Sequence, residues 1–391
     1  MKLLFIVQRY GLEVDGGAEL YCRWLAERLS AIHEVTVLTT TARDYTTWAN
    51  SYPVGESQLN GVTVIRKPVT MTRDIHSFNE LTTTILSDGN DRDAEENWLK
   101  MQGPWSPDLL SYLETNHFRY DLLIFVTYLY APTVLGAKIA PEKSILIPTA
   151  HNEPVAHLEI FKDLYRHVAG LMYLTRQEQL FVENTYPIEG KPSILLGTGV
   201  DIPDSHLDAD DIIERYQIRK PMLFYMGRVE AGKGCDTLIR YFESYLARKK
   251  VRASLVLAGR CHIPIPDNPA VICPGFIPDE AVKPFLLASD VVVVPSAFES
   301  LSILLLQAFA CSRPVLANAQ SPVLSAHCLD SNGGLFYANE DEFIESLDLL
   351  FSNSNLRKQL GNNGNQYIEH YYTWDKTLNR LENFCRIMLE T

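Results

Sequence analysis

The segment around residue 300 contains the pattern that most restricts the fold of this chain. The short apolar run Asp290-Val-Val-Val-Val is typical of a strand buried in a parallel sheet. The next apolar stretch, 303–310, is apolar almost all round, which predicts a helix in the core, and a second strand is predicted at 315–317. In open α/β sheets, ligands bind at the carboxyl ends of such strands. Glu299 and Ser300 lie in the loop after the first strand, so we expect them in a ligand site.

Length and composition limit the class of protein. A chain of 391 residues with 46% hydrophobic and 21% charged residues is long enough for two or three globular domains. The formal net charge of −13 argues against a broad nucleic-acid-binding role. No run reaches the ~18 apolar residues that a membrane helix needs, and the apolar run at the amino terminus is too short for a signal peptide. We expect a cytoplasmic protein, and peripheral attachment to the inner face of a membrane stays open.

The cysteines predict neither zinc nor disulfides. They are seven in number and form no CxxC pair, so reduced thiols in a cytosolic protein are expected. The seven are Cys22, Cys235, Cys261, Cys273, Cys311, Cys328 and Cys385.

Two further loops in the first half of the chain are candidates for ligand contact. A predicted strand at 3–7 leads to a helix that begins at Gly16-Gly17, where glycines let backbone amides approach an anion closely. A predicted strand at 145–147 is followed by the loop segment Thr149-Ala-His-Asn-Glu-Pro154, which places His151 at the carboxyl end of a strand.

Between residues 45 and 120 the pattern is irregular apart from one predicted strand at 62–65. Asp91 and Asp93 in this region have the spacing of an Asp-x-Asp metal motif. A solvated loop that caps a helix explains the stretch Asp88-Gly-Asn-Asp-Arg-Asp better.

Two motifs resemble those of family 4 glycosyltransferases, the retaining enzymes with the GT-B fold. The first is Pro295-Ser-x-x-Glu299 with its Leu-rich helix, and the second is Gly227-Arg-Val-Glu-Ala-Gly-Lys-Gly234 after a predicted strand. The family usually has a second Glu where this chain has Gln307. Positions 299 and 307 would be about 12 Å apart along a helix, enough to span a donor from sugar to ribose. The chain also has Ser300-Leu-Ser302 where the family usually has Gly-Phe-Gly.

The resemblance implies a role for each candidate residue. Arg228 and Lys233 would bind the donor diphosphate, Glu299 the hydroxyl groups of the transferred sugar, and the amide of Gln307 the ribose. The stretch Val271 to Glu280 would form the loop that receives the base, with Phe276 and Ile277 beside it. The remaining candidates are His151 near the donor sugar, Gly16 and Gly17 in the amino-terminal glycine loop, and Ser300, Leu301 and Ser302 next to Glu299.

The resemblance also implies the domain organisation. Residues 1–200 would form a Rossmann-like acceptor-binding domain and 201–375 a Rossmann-like nucleotide-sugar-binding domain. Residues 376–391 would form a terminal helix that packs back on the first domain. The stretch Ile194 to Pro203 resembles the family's turn between the two domains.

The predicted function is transfer of a sugar from a nucleotide diphosphate sugar, with UDP-glucose favoured, to a polysaccharide or lipid-linked saccharide acceptor, without a required metal or other cofactor. Two alternatives stay open. One is a sugar-nucleotide epimerase on the same GT-B scaffold. The other is a non-catalytic nucleotide-sugar-binding subunit, which the Gln at position 307 and the missing Gly-Phe-Gly would suit.

Overall fold

A computed structural model describes residues 1–87, 91–201 and 208–390. The chain forms two compact units, which divide between Gly197 and Thr198 and again between Thr377 and Leu378. The residues from Leu378 onward belong to the first unit. Part of the predicted interdomain turn, including Pro203, and part of the predicted acidic loop, Asp88 to Asn90, lie outside the described residues.

The first unit is built on an eight-stranded sheet in the order β3-β4-β2-β1-β5-β6-β7-β8. Neighbouring strands are parallel except β3, which pairs antiparallel with β4. The strands are β1 Lys2–Ile6, β2 Glu34–Thr40, β3 Gly55–Leu59, β4 Val62–Lys67, β5 Leu122–Val126, β6 Ser144–Ile147, β7 Gly170–Tyr173 and β8 Ser193–Leu195. The helices are α1 Gly17–Leu29, α2 Ile75–Ser87, α3 Arg92–Gln102, α4 Pro107–Asn116, α5 Ala131–Gly136, α6 Glu159–His167 and α7 Arg176–Thr185, with 3-10 turns at His117–Arg119, Pro141–Lys143 and Pro154–His157.

The second unit is built on a six-stranded parallel sheet in the order β11-β10-β9-β12-β13-β14. Its strands are β9 Met222–Met226, β10 Ser254–Ala258, β11 Val271–Gly275, β12 Val291–Val294, β13 Val315–Asn318 and β14 Gly334–Tyr337. Its helices are α8 Ala209–Arg215, α9 Cys235–Lys249, α10 Asp279–Ala288, α11 Ile303–Ala310, α12 Pro322–Ser331, α13 Glu340–Ser352 and α14 Ser354–Tyr371, with a 3-10 turn at Ala231–Lys233.

The central strands are buried on both faces, which explains why they are apolar throughout and do not alternate. Every residue of β5, β10 and β12 is buried, as expected for parallel strands covered by helices on each side. The predicted Rossmann-like α/β fold is confirmed in both units.

The last helix, α15 Trp374–Glu390, supports the first sheet from Leu378 onward. Phe384 and Met388 pack so closely on Gly170 of β7 that a Cβ atom there would lie 2.9 Å from the Met388 sulfur. Arg380 donates hydrogen bonds to the carbonyls of Leu195 and Leu196 at 3.2 and 3.1 Å. No helix in the described part of the chain is long and apolar enough to cross a membrane.

The irregular stretch after β4 contains the helices α2, α3 and α4, which apolar periodicity did not predict. A helix was expected here only after the acidic loop. Helix α2 buries only Phe78 and Ile85, and α3 buries Glu95 and Gln102 beside its apolar residues. Because polar side chains share the buried face, the apolar period is weak. Asp91 caps α3 by accepting a hydrogen bond from Ala94 N at 2.8 Å, as expected for a capping loop.

Two predictions about the second unit are wrong. Cys261 and Cys273 are joined in a disulfide between the loop after β10 and the neighbouring strand β11, whereas reduced thiols were expected throughout. The pairing depends on the adjacency of these segments in the sheet, which cysteine spacing does not reveal. The stretch 271–275, expected as a base-binding loop, is the edge strand β11, and the loop begins at Phe276.

A buried carboxylate connects two loops of the first unit. Glu178 of α7 is 1% exposed and accepts hydrogen bonds from Ala150 N and Leu174 N, each at 2.6 Å. Burial raises the pKa of Glu178 to about 8, although backbone hydrogen bonds to its carboxylate act in the opposite direction. Ala150 directly precedes His151, so this contact holds the loop that carries the candidate histidine.

The raised pKa of Glu178 predicts a pH-dependent contribution to stability. An unfolded Glu titrates near ~4.3, so between about pH 4.5 and 8 the native state binds more protons than the unfolded state. The free energy of unfolding therefore falls as pH rises through this window. Relative to wild type, the melting temperature of Glu178→Gln should shift upward between pH 5 and pH 8, as measured by scanning calorimetry. Glu183→Gln, at an exposed position of the same helix, is the control. If the melting temperature of Glu178→Gln relative to wild type changes between pH 5 and pH 8 no more than that of Glu183→Gln, the assignment is contradicted.

Candidate active site

The carboxyl edge of the second sheet brings together three loops that contain most of the predicted site residues. The loop between β9 and α9 contains Arg228 and Lys233, and the loop between β11 and α10 contains Phe276 and Ile277. The third loop, Pro295–Ser302 between β12 and α11, is called the donor loop below. Parallel strands end at the same edge of the sheet, so segments distant in sequence meet there.

The central contact is an ion pair between Lys233 and Glu299. Lys233 Nζ donates to Glu299 Oε1 at 2.9 Å, and the two side chains are 29% and 15% exposed. Arg228, the other predicted cation, forms an ion pair with Glu230 at 3.2 Å. Both cations therefore have a carboxylate partner in the same group of loops. Glu230 was not predicted from the sequence, although it lies within the glycine-flanked motif.

Gly234 makes the contact between Lys233 and the donor loop sterically feasible. Its backbone is left-handed, with φ 74°, at the residue that precedes α9. A Cβ atom at this position would lie 2.7 Å from the carbonyl oxygen of Pro295. Only glycine satisfies both the conformation and the close approach.

The donor loop ends in a strained turn at the start of α11. Ser302 is the N-cap residue with φ 70° and ψ 81°, and its side chain makes no capping hydrogen bond. A left-handed residue with a Cβ atom costs about 1–2 kcal/mol. Ser302 therefore adopts this turn at an energetic cost that a glycine would not have. Leu301 and Ser302 are buried, and Ser300 is partly exposed.

Gln307 has a buried side-chain oxygen without a hydrogen-bond partner among the described residues. The side chain lies on α11 and is 4% exposed, and the unpaired atom is Oε1. A buried acceptor without a donor costs about 1–3 kcal/mol. Gln307 is therefore a buried amide and not an ordinary surface residue.

Phe276 and Ile277 differ in exposure. The Phe276 ring is 49% exposed and lies under the guanidinium of Arg260, with 5.9 Å between Cζ and the ring centroid. Ile277 is 8% exposed, so its side chain is buried beneath the loop surface and is not available for stacking on a ligand. An exposed ring beside a strand end can stack on a planar ligand.

His151 belongs to the first unit, in the loop after β6. Its Nδ1 atom lies 3.7 Å from Glu153 Oε1, and the same oxygen accepts a hydrogen bond from the Tyr128 hydroxyl at 2.7 Å. Tyr128 is buried and fixes the carboxylate. Thr149, two residues before His151, has a left-handed backbone with φ 50°, which a β-branched residue rarely adopts. The loop is therefore held in a specific, strained conformation.

Gly16 and Gly17 precede and begin α1. A Cβ atom at Gly16 would lie 3.1 Å from Arg9 Nη2 and would also meet the Glu19 carboxylate. Arg9 and Glu19 form a buried ion pair at 2.7 Å, so close packing explains this glycine without a ligand. A Cβ atom at Gly17 would have no heavy atom within 4 Å, so packing does not require glycine at this position.

Covalent chemistry at the neighbouring thiol is not favoured. Cys235 begins α9, and burial raises the pKa of its thiol to about 11. It is therefore protonated at neutral pH and is a poor nucleophile. Groups of three or more potential metal ligands are absent from the described residues.

The site residues thus fall into two sets. The second unit holds Arg228, Lys233, Phe276, Ile277, Glu299, Ser300, Leu301, Ser302 and Gln307, and the first unit holds Gly16, Gly17 and His151. Lys233 and Glu299, two of the predicted residues, are in direct contact.

Two Rossmann-like units, each with a parallel sheet, define the GT-B fold of glycosyltransferases. Sucrose-phosphate synthase from Thermosynechococcus elongatus has this fold, with a TM-score of 0.74 at 16% identity over 100% of both chains. HepE from Anabaena in complex with UDP-glucose superimposes with a TM-score of 0.70 at 14% identity, again over 100% of both chains. At these identities the likeness shows the fold, and the predicted GT-B architecture is confirmed.

Residues 208–367 match the family model described as glycosyl transferases group 1, so the second unit carries a domain of that class. The predicted enzyme class, a glycosyltransferase, is confirmed for this domain. An uncharacterized glycosyltransferase of Methanocaldococcus jannaschii is 25% identical over 177 residues, which are 43% of this chain. The match spans 45%, about half, of that relative's length.

The close approach of Gly234 to Pro295 predicts that Gly234→Ala destabilises the second unit by about 2 kcal/mol, since the Cβ atom adds left-handed strain and a backbone clash. The ion pair of Lys233 with Glu299 should be disturbed at the same time. Thermal unfolding measures the loss of stability. Gly232→Ala is the matched control, because its Cβ atom would lie 3.8 Å from the nearest atom. Equal melting temperatures for the two variants would contradict this account of the loop.

Proposed function

We propose that this protein is a retaining glycosyltransferase of family 4 that transfers glucose from UDP-glucose to a saccharide acceptor, either a polysaccharide or a lipid-linked saccharide. The observation that carries the proposal is the ion pair of Lys233 with Glu299 at 2.9 Å. It combines a cation suited to a diphosphate with a carboxylate suited to sugar hydroxyl groups. The group 1 glycosyltransferase match over residues 208–367 supports the same function.

The diphosphate of the donor is assigned to Arg228 and Lys233. Without donor, Glu230 and Glu299 compensate these two cations. A diphosphate brings two negative charges and forms charge-assisted hydrogen bonds with both side chains. The first amides of α9 add further donors. During transfer the two cations stabilise the charge that develops on the leaving UDP.

The sugar and the ribose are assigned to the donor loop and to α11. When the diphosphate takes Lys233, Glu299 becomes available to accept hydrogen bonds from the 3- and 4-hydroxyls of glucose. Gln307 Oε1, which lacks a hydrogen-bond partner among the described residues, can accept one from a ribose hydroxyl. Donor binding would thereby satisfy a buried polar atom that is otherwise a cost to stability.

The uracil base is assigned to the loop after β11, with the exposed Phe276 ring beside it. Asp279 and Glu280 are the acidic residues nearest to this loop, and they lie in the first turn of α10, where negative charge stabilises a helix. A guanine contact is therefore not needed to explain them. The solved complex of HepE with UDP-glucose, which has the same fold, supports a uridine donor by analogy.

His151 is assigned to the donor sugar, with Glu153 beside its Nδ1 atom. Residues 1–200 are assigned to the acceptor, and action in the cytoplasm or at the inner face of a membrane stays a prediction. The two alternatives, an epimerase and a non-catalytic subunit, differ from transfer in their products. The epimerase would return a different sugar nucleotide, and the subunit would bind the nucleotide without turnover.

The donor assignment predicts that UDP binds at least about tenfold more tightly than GDP in calorimetry, and that incubation with UDP-glucose releases UDP. Release to water is expected to be slow without the acceptor, so product should be followed over hours. Tight binding of GDP with none of UDP would contradict the donor. Binding of UDP without any release would favour the non-catalytic subunit, and a new sugar nucleotide detected by NMR would favour the epimerase.

Metal independence is part of the proposal, because two cationic side chains are assigned to the diphosphate. Release of UDP should proceed at the same rate in EDTA as in Mg²⁺ or Mn²⁺. Complete loss in EDTA that either metal restores would contradict the proposal and would direct attention back to Asp91 and Asp93.

A further inference from the structure

A buried histidine lies directly beneath the donor loop. His327 of α12 is 3% exposed, and its Nε2 atom is 3.0 Å from the carbonyl oxygen of Leu301. Its Nδ1 atom is 3.2 Å from the hydroxyl group of Tyr367 on α14. The imidazole thus connects the donor loop to two helices that form the body of the second unit.

The direction of each hydrogen bond follows from the partners. A carbonyl oxygen can only accept, so Nε2 carries the proton and donates to Leu301. Nδ1 then accepts from the Tyr367 hydroxyl, whose oxygen lies 3.3 Å from the hydroxyl of Tyr372. Burial lowers the pKa of His327 to about 4, so the imidazole is neutral near pH 7 and has one N–H to give.

The bond to Leu301 acts at the strained point of the donor loop. Leu301 immediately precedes Ser302, whose left-handed backbone begins α11 without a side-chain cap. Leu301 itself is 4% exposed, so little water can reach this turn to replace a lost donor. The neutral imidazole therefore holds the turn that follows Glu299 and Ser300.

We propose that His327 is a positioning residue for the donor loop, and that its hydrogen bond to the Leu301 carbonyl holds Glu299 in the geometry that the donor requires. The proposal deepens the function proposed above and rests on it for the identity of the ligand. Its structural part, the ordering of the loop, does not depend on which donor is bound.

Hydrogen–deuterium exchange of the free protein tests the structural part. In His327→Leu, amides of the donor loop and the first turn of α11 should exchange about tenfold faster than in wild type, because the Leu301 carbonyl loses its donor. His327→Gln keeps one N–H donor and one acceptor, so it should restore most of the protection. Cys328→Ala is the control, since Cys328 is equally buried on the same helix and its Sγ atom faces the carbonyl of Leu335 at 3.9 Å.

Steady-state kinetics tests the functional part. His327→Leu should raise the KM for UDP-glucose by about tenfold with a smaller change in kcat, and His327→Gln should return KM toward wild type. If His327→Leu does not fold, Tyr367→Phe is the second test variant, because it removes only the hydroxyl group that contacts His327 Nδ1. It should raise both loop exchange and KM by a smaller factor.

Unchanged loop exchange in His327→Leu would overturn the proposal, and so would equal effects of His327→Leu, His327→Gln and Cys328→Ala, which would indicate packing alone. If loop exchange responds as expected but the protein binds no UDP, the positioning role stands and the proposed function fails. If the protein releases UDP but His327→Leu leaves both loop exchange and KM unchanged, the proposed function stands and the positioning role fails.

Discussion

The site in the second unit depends on one backbone contact. The loop after β9 can approach the donor loop only because Gly234 has no side chain where the Pro295 carbonyl oxygen lies. That approach places Lys233 against Glu299, although the two residues are far apart in sequence. The ion pair then satisfies two partly buried charges that would otherwise each lose hydration. A donor diphosphate is thus expected to replace Glu299 as the anionic partner of Lys233, while sugar hydroxyl groups replace Lys233 as the hydrogen-bond donors to Glu299.

Two of the candidate loops are each held by a buried side chain that is not expected to touch a ligand. His327 supports the donor loop through Leu301, and Glu178 supports the His151 loop through Ala150. The strained residues Ser302 and Thr149 lie next to these contacts. Strain of this kind persists only where the surrounding structure enforces it. Both buried groups depart in pKa from their usual ranges because burial disfavours their charged forms.

The parts of the fold that follow simple periodicity were predictable from the sequence. The strands β5 and β12 are continuous apolar runs and the helix at Ile303–Ala310 is apolar apart from Gln307, so these buried elements can be recognised from the sequence. Helix α2 was not predictable because its buried face contains few apolar residues. Helix α3 was expected only from its capping loop, because its buried face includes Glu95 and Gln102.

The site residues that lie in short sequence motifs were predictable. The contacts between segments that are distant in sequence were not, because only the folded chain brings those segments together. Arg228, Lys233 and Glu299 could be proposed from two motifs. The disulfide of Cys261 with Cys273 and the contact of His327 with Leu301 arise from the packing of separate segments. A histidine in the middle of an ordinary helix gives no sign in the sequence of the loop that it supports.

The most direct test of the central claim compares UDP affinity and turnover in Glu299→Gln, with Lys233→Ala beside it. If Glu299 compensates Lys233 only until the donor binds, Glu299→Gln should bind UDP as well as wild type or a few-fold more tightly, because Lys233 has lost a competing anion. Its turnover of UDP-glucose should fall by at least about a hundredfold, since the sugar loses its carboxylate partner. Lys233→Ala should instead lose UDP affinity. A Glu299→Gln enzyme that loses UDP affinity while it retains full turnover would contradict the account.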